Sequence, residues 1–332
     1  MAIRLYLHIG HIHGSSAHIG ALLSANRQAL LERGYGVCDQ ELAFGQAVGS
    51  AAFFEPCLNN PQTSVEAIAQ AFAGLKTRAE KADLKAVIIH APNLATPEGA
   101  HLVAAAKQYF DVRILYYFKR QEELVVDRWM DGVFKTGLGL NAYIDEIISS
   151  HPRRYYRDAL EAYLEVFGAD AMRVQLLWFK VLEGGNLPDD FWHALELDPG
   201  GLEVVLEPAP LVSSYLATAL KESPYLFAGE DDEELLDFIR SYAKADAVTK
   251  ISPLDVEPRR QVMEHFQPEN RWIKMTFFAD VNMPGWNAVP DSDDRSNDIT
   301  LAGITEAINL SFSMLKELST DIARVKKKMG LK

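Results

Sequence analysis

The sequence predicts an α/β protein in which a mainly parallel β-sheet is flanked by helices. Two observations support this class. Short apolar segments rich in β-branched and aromatic residues recur along the chain, and longer segments with apolar residues at three- and four-residue spacing separate them. Strands that alternate with helices form βαβ units, whose strands run parallel.

The first strand and the first helix are predicted at the start of the chain. Residues 3–9 (IRLYLHI) are apolar and β-rich, and this strand breaks at Gly10. Between Ala17 and Leu31, apolar residues return at helical spacing. The sequence between these elements, GHIHGSSA, is therefore expected to form the tight loop of a strand–loop–helix unit.

Two further strands follow, each preceded by a helix. A helical segment at 64–82 precedes a buried strand at 86–89, and a helix near 98–109 precedes a strand at 112–119. The last of these strands runs into RQEELVVDRWMDGVF, whose apolar residues line one helical face. The pattern thus continues as βαβ units.

The remaining part of the chain changes from alternating elements to helices. A helix is predicted from about Arg153 to Gly168, a strand at 172–179, and a short helix over FWHALEL. Beyond about residue 208 the chain is expected to be mostly helical, with no internal repeat, heptad seam or long linker. We therefore divide it into an α/β core at 1–207 and a mostly helical C-terminal portion at 208–332 packed on that core.

The composition limits the classes of partner. The chain has 332 residues, 48% of them hydrophobic, and a net charge of −13, which disfavours general attraction to nucleic acid or anionic lipid because both are polyanions. Its two cysteines, Cys38 and Cys57, provide neither a disulfide framework nor the spacing of a structural zinc site. We find no secretory signal and no apolar run of roughly 20 residues, so we expect a cytoplasmic protein without a membrane span.

The loop GHIHGSSA has the position of a phosphate-binding loop, between a buried strand and a helix. Backbone N–H groups of residues 14–17 at the helix N-terminus are suited to bind an anion, and Ser15 and Ser16 add hydroxyl donors. The loop has no lysine, and a protonated His13 is the candidate to replace it. The alternative is that His13 and Ser15 only cap the helix.

Three segments resemble the bacterial branch of the sulfotransferase family. The first is HIG at residues 8–10 with the helix ALLSANRQALLERGY, and the second is ILYYFKRQEELVVDRWM. The third runs from YLEVFG to FWHALEL, and FQPENRW at 266–272 is a shorter similarity. The resemblance implies a P-loop-type fold that binds phosphoadenosine phosphosulfate and transfers its sulfuryl group to a hydroxyl of a saccharide or small-molecule acceptor.

The resemblance assigns the phosphosulfate side of the cofactor to the first loop. It implies cofactor contacts at Gly10, His13, Gly14, Ser15, Ser16 and Ala17. Two alignments of the loop stay open: without a gap His13 stands at the family's lysine, and with one deletion Ile12 does. In the first alignment His13 is expected to stabilise the charge on the leaving phosphate oxygen.

The resemblance assigns the 3′-phosphate to the end of the strand at 112–119. Lys119 replaces the family's arginine, which keeps the charge but loses the bidentate fork, and Arg120 follows it. Asp127 replaces a phosphate-contacting serine, and its carboxylate is expected to repel that phosphate. Pro92 occupies the position of the family's glutamate base, so the nearest titratable group, His90, is the candidate base.

Other functions stay open beside the sulfotransferase. The changes at Pro92 and Asp127, together with the missing lysine, favour a non-catalytic binding or assembly protein that has kept the fold. A phosphotransferase is disfavoured because GxxxxGK[ST] is absent.

Two clusters of side chains are further candidates for binding a metal or an anion. The first comprises four histidines near the loop, His8, His11, His13 and His18. No nearby cysteine or carboxylate completes a set of metal ligands there, so no metal is expected. The second cluster, RRYYR at 153–157, either contacts phosphate or an acidic glycan, or begins a solvated helix whose arginines cover the two tyrosines.

Overall fold

The computed structural model is an α/β protein with a parallel sheet flanked by helices and a helical C-terminal part, as the sequence predicts. It describes residues 2–10, 15–45, 47–150, 154–205, 213–242, 254–289 and 298–329. The strands of the described residues are β1 (Arg4–His8), β2 (Tyr35–Val37), β3 (Ala86–His90), β4 (Asp111–Phe118) and β5 (Met172–Leu176).

The α-helices of the described residues flank the sheet or follow it in the chain. They are α1 (Ala17–Glu32), α2 (Ala51–Asn59), α3 (Pro61–Lys81), α4 (Pro97–Leu102), α5 (Gln121–Asp131), α6 (Leu140–Ser150), α7 (Arg157–Phe167), α8 (Leu187–Ala194), α9 (Ser214–Leu220), α10 (Glu234–Tyr242), α11 (Val256–His265), α12 (Gln267–Phe277) and α13 (Asp298–Met329). Within these ranges, no helix has both the length and the apolar character required to cross a membrane.

The chain forms two compact units, and each is built from three separate chain segments. The first unit contains Met1–Gln121, Pro152–Pro208 and Phe266–Trp286. The second contains Glu122–His151, Ala209–His265 and Asn287–Lys332. The sheet and the segments that resemble sulfotransferases over 8–35 and 163–197 belong to the first unit, whereas most of α5 belongs to the second.

The sheet of the first unit is parallel throughout and has the strand order β2-β3-β1-β4-β5. The central strand β1 pairs with β3 on one side, where His8 is opposite His90, and with β4 on the other. After β1 the chain continues to β2 and β3 on one side and then crosses to β4 and β5. The strand order therefore reverses at β1, and the carboxyl ends of such strands are where open α/β sheets bind ligands.

Burial on both faces explains the apolar composition of the central strands. All five residues of β3, AVIIH, are buried, as expected for a parallel strand covered by helices on each side. On one face, α1 packs Ile19, Leu22 and Leu23 into a core that includes Tyr117 of β4 and Phe191 of α8. The apolar spacing in α1 thus fixes which side of the helix meets the sheet.

The start of α7 differs from the prediction, because the helix begins at Arg157 instead of about Arg153. Its first backbone N–H groups are capped by a buried side chain of α12. The N–H groups of Tyr156 and Arg157 donate to Glu269 Oε1 at 2.6 and 2.8 Å, and Gln121 Nε2 donates to Glu269 Oε2 at 2.9 Å. A carboxylate at a helix N-terminus satisfies orphan donors, so Glu269 determines where α7 starts.

The second unit is helical in its described residues and contains a buried lysine. The Lys135 side chain is 0% exposed, and its Nζ donates to Glu233 Oε1 at 2.7 Å and to the Glu230 carbonyl oxygen at 2.8 Å. A buried ammonium requires such partners because desolvation penalises an unpaired charge. The acidic segment GEDDEEL at 229–235 thus supplies the partners of Lys135.

Candidate functional site

The described ends of the first loop lie at the carboxyl end of β1. Gly10 lies in a tight space at this strand end: a Cβ at Gly10 would lie 3.0 Å from His8 Nε2 and 3.1 Å from the Tyr117 carbonyl oxygen. Ser16 is buried and its Oγ donates to the Gly10 carbonyl oxygen at 3.4 Å, while Ala17 begins α1 and is exposed. His13 and Gly14, together with His11 and Ile12, lie outside the described residues.

A cavity of about 590 Å³ opens beside the start of α1. Ser15 and His18 line it from α1 and the turn before it, and Lys119 lines it from the end of β4. Ser15 is 4% exposed and its Oγ has no hydrogen-bond partner among the described residues. His18 Nε2 contacts the Val205 carbonyl oxygen at 2.6 Å. Polar groups from two resemblance segments, far apart in sequence, thus meet in one cavity.

Of the two basic residues after β4, Lys119 lines the cavity and Arg120 is not among its lining residues. Both are half-buried. Lys119 is held at the strand end through its main chain, since the Tyr156 hydroxyl donates to the Lys119 carbonyl oxygen at 2.7 Å. Asp127, the third residue assigned to the 3′-phosphate, lies in the part of α5 that belongs to the second unit and is half-buried.

The rest of the cavity wall is formed by the segment from Leu177 to Val205, which the sequence did not identify as functional. Its apolar lining includes Leu177, Phe179, Leu182, Leu187, Trp192 and Val205. Polar lining comes from Asn186, Asp189 and Glu203. This combination suits a ligand with an apolar face and hydroxyl groups, because the carboxylates can accept hydrogen bonds from hydroxyls.

Asp190 attaches this wall to the sheet. It is 1% exposed, and its two carboxylate oxygens are held by different elements. The Tyr117 hydroxyl donates to Oδ1 at 2.7 Å, and the Glu183 backbone N–H donates to Oδ2 at 2.9 Å. Burial raises the pKa of Asp190 above its ordinary value, whereas these hydrogen bonds to the carboxylate act in the opposite direction. Asp190 therefore positions the wall without lining the cavity itself.

The candidate base His90 is paired with a second buried histidine, His8. The two rings are stacked with centroids 4.9 Å apart, and their Nδ1 atoms lie 2.9 Å from each other. Burial lowers the pKa of His90 to about 4 and that of His8 well below its usual value, with the charge of His90 acting further on His8. Both imidazoles are therefore neutral at pH 7.

The proton between the two Nδ1 atoms has two possible positions, with different chemical consequences. If His90 donates its Nδ1–H, its Nε2 keeps a lone pair and can accept a proton. If His8 donates, His90 carries its proton on Nε2 and has no free lone pair. Within the described part of the chain, His8 Nε2 has no partner, so neither arrangement is selected by a further hydrogen bond there.

The two clusters noted in the sequence contain no metal group among the described residues. No group of three or more histidine, cysteine or carboxylate side chains in the described ranges is placed to hold a metal ion. In the RRYYR cluster, Arg154 pairs with Asp158 at 3.3 Å, and Arg157 pairs with Glu161 at 2.6 Å and lies over the Trp272 ring. These contacts agree with the interpretation of the cluster as a helix start.

Comparisons of the chain with protein-family models, with curated proteins and with solved structures give no match.

Proposed function

We propose that the first unit is a sulfotransferase-like domain that binds phosphoadenosine phosphosulfate and transfers its sulfuryl group to a hydroxyl of a saccharide or small molecule. One observation carries this proposal: Ser15 and His18 from the first resemblance segment line the same cavity as Lys119 from the second. The cavity lies at the carboxyl ends of β1 and β4, where ligands bind in open α/β sheets.

On the side of the cavity formed by Ser15 and Lys119, the described residues fit an anionic group. The carboxylates of Asp189 and Glu203 instead belong to the wall from Leu177 to Val205 and suit hydroxyl groups. The Ser15 hydroxyl is buried beside the cavity and has no hydrogen-bond partner in the described chain, so it can donate a hydrogen bond to a sulfate or phosphate oxygen. Lys119 supplies a positive charge on the same cavity. In a chain with a net charge of −13, such a local site is required for any anion to bind.

The chain's own residues would act mainly by position and electrostatics. The bound donor supplies an activated sulfuryl group: the acceptor oxygen forms a bond to sulfur, the bond from sulfur to the phosphate oxygen breaks, and the acceptor hydroxyl proton passes to a base. Ser15 and Lys119 hold anionic oxygens, and the apolar wall excludes water. His90 is the candidate base when its Nδ1–H is donated to His8, but it is not among the residues that line the cavity, so the acceptor hydroxyl must reach it beyond that lining.

A second candidate function is non-catalytic binding of an anionic ligand. The His8–His90 contact supports it, because His90 is 8% exposed and its Nδ1 is already engaged. If His8 donates the shared proton, no lone pair remains on His90 for an acceptor hydroxyl. The domain would then bind the same ligand in the same cavity without turning it over.

Calorimetric titration with phosphoadenosine phosphate tests ligand binding by either function. We expect binding that weakens about tenfold or more in Lys119→Ala and is unchanged in Lys81→Ala, an exposed lysine of α3 outside the cavity lining. An equal effect of both substitutions, or no binding at all, would overturn both proposals.

Nitrogen-15 NMR of the His90 ring then separates the two functions. A protonated Nδ1 together with sulfate transfer to a model acceptor supports the sulfotransferase. A protonated Nε2, with binding but no transfer, supports the non-catalytic domain.

A further inference from the structure

The C-terminal helix α13 carries a row of exposed apolar side chains. Six of them are between 47% and 66% exposed: Ile308, Leu315, Leu318, Ile322, Val325 and Met329. Successive members are separated by seven, three, four, three and four residues. Other large apolar side chains, such as Tyr225 and Met275, are exposed as well, but these six lie in a row along one helix, and such a row marks an interaction surface.

This spacing is that of a coiled-coil seam. With Ile308 at position a of a heptad, Leu315, Ile322 and Met329 also occupy a, and Leu318 and Val325 occupy d. From Ile308 to Met329 the row covers about 32 Å of helix at 1.5 Å per residue; position d of the first heptad is Ser311, and apolar residues fill both a and d from Leu315 onward. The sequence prediction of no heptad seam stays untested, and the exposed residues of α13 argue against it.

The distal half of α13 is not covered by any of the residues that the structure describes. Within its own unit α13 packs against α9 and α10, yet every side chain described between residues 315 and 329 is exposed. An isolated helix of this length is only marginally stable in water, and its apolar row gains nothing while it is hydrated. A partner helix that buries the row would stabilise both.

We infer that this row pairs with the same row of a second copy of the chain, in a parallel two-stranded coiled coil. The charges beside the seam support this partner and this direction. Asp321 is at position g and Lys326 at position e, and in a parallel pair each g residue faces the e residue five positions later on the other helix. Each Asp321 therefore meets Lys326 of the second copy.

An antiparallel pair is disfavoured by the same charges. The register that packs Leu318 against Ile322 of the other helix places the two copies of Asp321 next to each other, and like charges repel. Within one helix, Asp321 is already paired with Arg324 at 3.1 Å, but both side chains are exposed and such a pair contributes little. It leaves the carboxylate accessible to a second partner.

Light scattering coupled to size-exclusion chromatography of the full chain tests the pairing. We expect a dimer, and we expect Ile322→Asp to raise its dissociation constant by at least about a hundredfold, because each copy then places a carboxylate in the seam. Thr320→Asp is the matched control, since it adds the same charge at position f, away from the seam. Both sites are exposed, so both variants are expected to fold.

A disulfide test fixes the direction. In a Cys57→Ser background, Leu318→Cys is expected to form an intermolecular disulfide on mild oxidation, because d residues of parallel helices face each other. A wild-type monomer at tens of micromolar, or a dimer equally insensitive to both aspartate variants, overturns the proposal. A dimer that Ile322→Asp breaks but Leu318→Cys does not cross-link overturns its parallel direction.

Discussion

Replacing His90 by asparagine is expected to remove an acid sensitivity from the first unit. Asparagine places its side-chain oxygen near the position of Nδ1 and can keep the hydrogen bond to His8, but it does not titrate. In the native chain, burial holds the pKa of His90 at about 4, whereas the unfolded chain has the ordinary value of 6.5. The folded protein therefore binds this proton more weakly than the unfolded chain does.

The sign and size of the effect follow from this difference. Stability from neutral His90 is fully present above pH 6.5 and is lost as the pH falls through 6.5 towards 4. The lowering of the pKa from 6.5 to about 4 corresponds to about 3 kcal/mol in the free energy of unfolding. His8 remains in the variant, and its pKa is also lowered. Protonation of His8 therefore reduces the free energy of unfolding in both proteins, and the loss from His90 is added to it only in the native protein.

Urea unfolding at pH 7, 6, 5 and 4 measures this difference. We expect native protein to lose about 3 kcal/mol more than His90→Asn over this range, whereas His101→Asn, an exposed histidine of α4, should follow the native protein. The reasoning is refuted if native protein and His90→Asn lose the same free energy of unfolding between pH 7 and pH 4.

Two other substitutions test contacts that shape the first unit. Glu269→Ala is expected to lower the free energy of unfolding by about 3 kcal/mol in urea unfolding, because it leaves the capped N–H groups of α7 without an acceptor. Glu269→Gln keeps one oxygen and should lower it clearly less. Equal losses in the two variants would contradict the capping role. Gly10→Ala is expected to cost about 1 to 3 kcal/mol because its Cβ would crowd His8 and the main chain of β4. Gly139→Ala, where a Cβ meets no atom within 4 Å, is the control, and a similar loss in both would show that crowding is not the cause.

The fold class could be predicted from the sequence because burial on both faces imposes a visible pattern. The run AVIIH of β3 has no polar face to present, and α1 repeats its apolar residues at helical spacing. Elements without such a pattern could not be predicted from the sequence. The strand β2 has three residues, and α2 contains Pro56, which ordinarily signals a helix boundary.

The site was predictable only where a chemical motif accompanies a strand end. Ser15 and Lys119 could be found because they follow parallel strands, whose carboxyl ends share one edge of the sheet. The wall from Leu177 to Val205 gives no comparable signal, since apolar residues in a loop region resemble core. The pairing of His90 with His8 depends on the register of β1 and β3, which the sequence does not state.

The heptad spacing of α13 is hard to recognise in the sequence because other apolar residues lie beside it. Leu310, Phe312 and Met314 are apolar residues outside positions a and d, so the heptad spacing is blurred in the first half of the helix. It is clearest between residues 315 and 329, where the exposed apolar side chains fall at positions a and d. The exposure of these apolar side chains, which the sequence does not give, distinguishes them from core residues.

The discontinuous first unit has a consequence for synthesis on the ribosome. Its last segment, Phe266–Trp286, contains the carboxylate that caps α7, about 110 residues earlier in the chain. A nascent chain that has reached Pro208 must therefore wait for roughly 60 more residues, about 3 to 12 s at ordinary elongation rates, before Glu269 is made and that cap can form. During this interval α7 has unsatisfied N–H groups at its start, so chaperones have a defined time in which to bind the growing chain.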